Sequence, residues 1–298
     1  MNIDLGTDLL TKSLLQRLDP NHTGAFVEVG LGTSCFSFAW AAPEGFHCYA
    51  VEPLPSEVLT QACRTHHVSL TVAAVTEQHG EIPIYVGRLG GRTFTDTSSL
   101  NPNWWGCGTE RRMVPTLSLG DFFAGQQIAC CSLLKVDTEG TERDVLGGLT
   151  LLAEKQRPKI IVFEYGGGGL KCARQKGWTD EFFANTLQCV ELLRGLGYRR
   201  GFLIEYASAG PRFVELEAGV SPADLFPENA HVGNFLLIAS ALSPDDAAEI
   251  IRPVAQALAA DARRVTRHAH VARLSHYPKR LLAGLRRRLP GRKPPPNN

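Results

Sequence analysis

Acids and glycines stand where short apolar runs of this chain stop. In FVEVGLGTS, residues 26–34, a strand-like run ends in an acid (Glu28), and a turn carrying Gly30 and Gly32 follows before a helix start at Thr33 or Ser34. Glycines let backbone approach a ligand closely, and a helix start offers unpaired N–H groups. The next apolar run ends in Glu52, 20 residues after Gly32, with Pro53 behind it. An acid there can accept two hydrogen bonds from a ribose diol. Together these features describe a nucleoside-binding site. Cys35 stands where a dinucleotide fingerprint has its third glycine. Glu28 would repel a pyrophosphate, but it suits the ammonium of a methionine chain, directly or through water. Electrostatics therefore favour S-adenosylmethionine over a nicotinamide dinucleotide.

A second group of acids lies further on. SLLKVDTEGTE delivers Asp137 and Glu139 to a strand end, two residues apart, so both face one cleft if the chain stays extended. Glu142 falls in the first turn of the following helix, where an acid complements the dipole, and it reads as a cap. Glu164 ends the next strand and points at the same cleft. Carboxylates so placed can take a proton from a weakly acidic hydroxyl during attack. Asp137, Glu139 and Glu164 are the candidate bases, and His231 is a fourth. Neither His66-His67 nor His268-x-His270 has a matching ligand set, so no metal site is expected. The carboxylates could still take Mg²⁺ beside a diol.

The elements that must position these groups alternate. A helix over residues 7–18 is followed by strands at 25–29, 47–51, 69–75, 133–136, 159–164, 200–205 and 234–239. Helices fall at 34–42, 55–66, 141–152 and 180–196. Such alternation predicts an α/β fold with a mostly parallel seven-stranded sheet and helices on both faces. Ligands of such sheets lie beyond the carboxyl ends of the strands. Residues 80–120, with glycines 87, 90 and 91 and the run NPNWWGCG, read as a hairpin and long loop inserted after the third strand. Trp104 and Trp105 in that loop either stack on a sugar ring or pack the loop onto the body. Gly166 to Gly169 give the cleft a flexible or closely approached rim. The organisation is an N-terminal helix (1–22), a main domain (23–242) and a C-terminal helical extension (243–298).

FVEVGLGTS, YAVEPLP, VAAV, LLKVDTEGTERDVLGG and IIVFEY, taken in this order, resemble the FkbM-type methyltransferases from about residue 25 to residue 239. The LLKVDTEGTE block is the most specific part. The resemblance implies a Rossmann-like class I methyltransferase. It would use S-adenosyl-L-methionine, release S-adenosyl-L-homocysteine, and O-methylate a hydroxyl of a sugar, glycolipid or other small natural product. It implies that Glu52, with Pro53, holds the ribose, that Ala73 and Ala74 line the adenine pocket, and that Glu28, Gly30, Gly32, Ser34 and Asp137 complete the cofactor site. A nicotinamide-dependent oxidoreductase and a non-catalytic methyltransferase-like binding protein are the rival readings.

Composition bounds the setting. The 298 residues include eight scattered cysteines without a CxxC pair, which fits a reducing cytosol better than a disulfide scaffold or zinc cluster. No apolar run reaches the ~18 residues of a membrane span, and no secretory leader is apparent. The net charge of +1 conceals a split, because all 30 Asp and Glu lie at or before Asp261 and every charge after it is Lys or Arg. Within that basic tail, Leu274, Tyr277, Leu281, Leu285 and Leu289 recur near one helical face. Such a helix suits docking on the acidic body of this chain or of a second copy, or an anionic membrane surface. Nucleic acid is not expected, because no aromatic-interleaved basic groove is visible. The expected setting is cytoplasmic, with a peripheral membrane option.

Overall fold

The first helix, α1 (Ile3–Leu18), begins where the Asn2 side chain accepts the Leu5 N–H at 3.1 Å. It buries Leu10, Leu14 and Leu15 at helical spacing. It ends at Asp19, a buried acid. Burial would raise the Asp19 carboxyl, but hydrogen bonds from Ser132, Thr23, Gly24 and Lys159 outweigh it and hold the group well below the usual carboxylate range. Asp19 thus ties the helix end to the sheet. The computed structural model describes residues 2–264 except positions 34, 35, 78 and 207, and not the Phe36 side chain. Ser34, the His268-x-His270 pair and the basic helix expected from Leu274 onward lie outside the described residues.

Strand β1 (Ala25–Val29) is buried along its whole length, as expected of a central parallel strand covered on both faces. Next come α2 (Phe36–Ala41), β2 (Cys48–Val51), α3 (Glu57–Thr65) and β3 (Ser69–Thr71). β1, β2 and β3 pair in parallel, Phe26 lying opposite Cys48 and Tyr49 opposite Ser69. The strand expected over residues 69–75 is in fact two. The chain leaves the main sheet after Thr71, and β4 (Ala74–Val75) joins a second sheet. In that sheet β5 (Gly80–Leu89), β6 (Arg92–Thr93) and β7 (Cys107–Leu117) form the inserted hairpin, with β4 pairing in parallel to β7. The insertion then runs into a helix, α4 (Leu119–Gly125), which begins just before the expected end of the loop at residue 120.

The main sheet resumes with β8 (Cys131–Val136), α5 (Glu142–Gly147), β9 (Ile160–Leu170), α6 (Asp180–Gly195), β10 (Arg200–Glu205), β11 (Arg212–Glu215) and β12 (His231–Ile238). Its strand order is β11-β10-β12-β9-β8-β1-β2-β3, eight strands rather than the expected seven. β12 runs antiparallel to both β9 and β10, so the sheet is mixed. The extra strand is β11, which pairs antiparallel on the β10 edge and is fastened by an Arg200–Glu215 ion pair at 2.9 Å. Four residues make too short an apolar signal to be read from sequence.

Two apolar layers sandwich the sheet. Val27, Val29, Leu134 and Val136 face α4, α5 and α6 through Phe123, Val145, Leu146 and Val190. Phe26, Leu133, Val162 and Phe202 face the opposite layer, to which α1, α2 and α3 contribute Leu14, Phe38 and Leu59. A helix over residues 244–264 joins this second layer through Ala247, Ile250, Val254 and Leu258. Each fully buried Leu or Phe in these layers contributes about 1.5–3 kcal/mol. Among the described residues no helix is long and apolar enough to cross a membrane.

Candidate functional site

The site begins where β1 stops. Gly30 turns with φ +78°, and a Cβ there would lie 1.9 Å from the Asp137 carbonyl oxygen, so only glycine fits. This contact brings the β1 and β8 ends together, and the Asp137 N–H donates to the Val29 carbonyl at 2.9 Å. Glu52 leaves the end of β2 with a buried carboxylate that accepts N–H groups of Leu31 (2.9 Å), Gly32 (3.2 Å) and Leu54 (2.9 Å). Burial raises its carboxyl, against those backbone bonds. Glu52 therefore shapes the glycine turn from below as well as facing the cleft.

The cleft above this turn has an empty volume of about 510 Å³. Gly30, Gly32, Glu52, Pro53, Ala73, Ala74 and Asp137, all expected at a cofactor site, line it. The inserted hairpin forms the facing wall with Ile84, Asp96, Ser99 and Leu100. Asp96 accepts the Thr33 hydroxyl at 2.8 Å, joining that wall to the turn. Sequence reasoning missed Asp96; its only signal was a polar run, TFTDTSS, inside an insertion.

Glu28 does not line this cleft. Side chains alternate along a strand, so Val27 and Val29 point to one layer and Glu28 to the other. Glu28 is buried, pairs with Lys135 through one oxygen and leaves the other without a protein partner. It lines a second cavity, also of about 510 Å³, and Gly30 and Asp137 line both.

Asp137, Glu139 and Glu164 do converge. Val136 pairs with Phe163 in the parallel β8–β9 register, which sets Asp137 beside Glu164. Glu139 reaches them differently from the extended chain expected, since it sits in the left-handed region at φ 56°. Non-glycine residues held there are uncommon and cluster at functional sites. One oxygen from each of the three carboxylates lies within 4.8 Å of the others. Burial, then the Asp137 and Glu142 charges, push the Glu139 carboxyl well above the ordinary range. Burial, then the Asp137 and Glu139 charges, do the same to Glu164. Like charges this close oppose one another's ionisation, which adds to burial in raising the Glu139 and Glu164 carboxyls. Such a group can relay a proton, and its oxygens are also the donor set that a hard divalent cation takes. Glu142, in the first turn of α5, folds back on the loop before it, accepting the Thr138 N–H at 2.9 Å and the Gly140 N–H at 3.1 Å. Burial pushes its carboxyl up to about 7 against those bonds.

Both tryptophans pack the inserted loop against the Gly166 to Gly169 segment. Trp104 is buried, meets Phe182 edge-on at 4.8 Å between ring centroids, and packs on Gly140 and Gly167. Trp105 is half-buried beside Gly168, with the Lys176 ammonium 4.4 Å from its ring centre. Asn101 and Asn103 both donate to Glu181 at 2.7 and 3.2 Å, clamping the loop to α6. His231 stacks near Tyr206 and lines neither cavity.

No curated protein matches the chain significantly. Among solved structures, the METTL16 MTase domain is similar at 8% identity and a TM-score of 0.40, over 80% of this chain and 68% of that one. The methyltransferase domain of bacterial CtHen1 is similar at 11% identity and a TM-score of 0.37, over 78% of this chain and 98% of that one. The model of the methyltransferase FkbM domain matches residues 23–200, which hold the glycine turn, Glu52 and all three converging carboxylates. The chain belongs to the FkbM methyltransferase family.

Proposed function

We propose that this chain is an S-adenosylmethionine-dependent O-methyltransferase acting on a hydroxyl of a sugar, glycolipid or other small natural product. The observation that carries the reading is the joining of two sites: Asp137 and Glu139 belong both to the cleft over Gly30 and Glu52 and to the carboxylate cluster. A nucleoside-binding floor and a proton acceptor thus share one wall. The donor fits the cleft on its own terms, with a carboxylate facing it at Glu52 and small Ala73 and Ala74 leaving room for a planar base. When bound, S-adenosylmethionine supplies an electrophilic methyl on a sulfonium.

The chain's part is placement and proton removal. Holding an acceptor oxygen in line accounts for most of the acceleration of a displacement. A carboxylate of the cluster takes the hydroxyl proton as the C–O bond forms and the C–S bond breaks, leaving S-adenosylhomocysteine. Thermal-shift measurement with S-adenosylmethionine, S-adenosylhomocysteine and NAD tests the donor. Both sulfur nucleosides should raise the melting temperature and NAD should leave it unchanged; a shift with NAD alone sinks the reading in favour of an oxidoreductase.

A further inference from the structure

The second cavity is walled by a helix outside the matched family domain. α1 supplies Asp4, Thr7 and Asp8; the sheet supplies Glu28, Lys135 and Asn234. α1 is held firmly against it. Asn234 donates to the Thr7 hydroxyl at 2.9 Å, Arg17 pairs with Asp246, and a Cβ on Gly6 would come within 3.2 Å of Ile204. The cavity wall carries four carboxylates, Asp4, Asp8, Glu28 and Asp137, against one ammonium, Lys135. Lys135 pairs with one Glu28 oxygen while its charge also acts on Asp8, and the other Glu28 oxygen is buried with no protein partner. Asp8 accepts the Ser37 hydroxyl at 3.0 Å through one oxygen, and its charge acts on Glu28. A buried, unpaired oxygen in an acidic cavity calls for a cationic donor. Among the described residues the acids that crowd within 4.8 Å as metal ligands do are Asp137, Glu139 and Glu164, not those of α1. Spaced acceptors suit an ammonium, which has three N–H groups to distribute.

Resting on the methyl-donor reading, we propose that Asp8 of the N-terminal helix, opposite the free oxygen of Glu28, binds the ammonium of the donor's amino-acid chain. The chain would leave the nucleoside cleft past Gly30 and Asp137, which line both cavities. Asp8 then selects donors that carry an amino acid over bare thioether nucleosides, and it does so from outside residues 23–200.

The test compares two ligands on the full-length protein by calorimetry: S-adenosylhomocysteine, and 5′-methylthioadenosine, which lacks the amino-acid chain. Asp8→Asn keeps the acceptor for Ser37 but removes the charge. It should weaken S-adenosylhomocysteine about 10-fold or more. It should leave 5′-methylthioadenosine within about twofold of wild type, which also reports that the variant is folded. Asp8→Glu should recover part of the loss. Unchanged binding of S-adenosylhomocysteine by Asp8→Asn overturns the assignment, and so does an equal loss of both ligands. Wild-type protein that binds neither nucleoside overturns the donor reading itself, and the assignment with it.

Discussion

Replacing Glu164 by Gln removes one of three ionisable carboxyls whose oxygens lie within 4.8 Å of one another. Two unit charges at that distance repel by about 3.5 kcal/mol at an effective dielectric of about 20. Because the cluster is only partly buried, solvent screening leaves about 1.5–3 kcal/mol of this. The pH dependence follows from the direction of the shifts. Burial and neighbouring carboxylates raise the Glu139 and Glu164 carboxyls, so the folded protein keeps protons that the unfolded chain releases. Wild-type stability from these groups is therefore full below the ordinary carboxylate range and is lost as pH rises through the raised values. Gln cannot ionise, and its amide can still donate to Asp137 as the protonated acid does. Urea denaturation of wild type and Glu164→Gln at about pH 5 and pH 8 measures the effect. The variant should gain about 1.5–3 kcal/mol over wild type between the two pH values. Its methyl-transfer turnover should meanwhile fall by about 10²–10⁴-fold if Glu164 is the base. A stability difference that is the same at both pH values, or that favours wild type at pH 8, refutes the converging cluster.

Glu142, with its carboxyl near 7, predicts a related but separate effect. Glu142→Gln should gain about 2–3 kcal/mol over wild type as the urea series rises from about pH 5 to 8, because the charge is lost where the folded protein resists it. Gly30→Ala places a Cβ 1.9 Å from the Asp137 carbonyl at φ +78°, so it should destabilise by more than about 2 kcal/mol and lower the melting temperature.

The parts of the site that were legible in the sequence are those set by local pattern. β1, the glycine turn and β2 follow each other within one strand–helix–strand unit, so Gly30, Gly32 and Glu52 meet as their spacing suggests. The convergence of Asp137 and Glu164 follows from parallel neighbours, because strand ends that share a sheet share an edge. Glu28 lies behind the main cleft rather than in its wall, because alternation along β1 sends its side chain to the other face. The Asp96 wall and the cavity behind α1 depend on long-range packing, between residues 33 and 96 and between Thr7 and Asn234, which no periodicity records. β11 escaped notice because four residues on a sheet edge carry little apolar signal. The helix over 244–264 was merged with the basic segment that follows it, although its buried Ile250, Val254 and Leu258 make it part of the core.

The central claim is that the cleft over Gly30 and Glu52 holds the methyl donor. Titration calorimetry of S-adenosylhomocysteine into wild type and Glu52→Ala tests it most directly. Wild type should bind, and the variant should bind at least about 10-fold more weakly, having lost charge-assisted hydrogen bonds to the ligand and the support Glu52 gives to Leu31 and Gly32. Equal affinity of the two proteins, or no binding by wild type, would contradict the account.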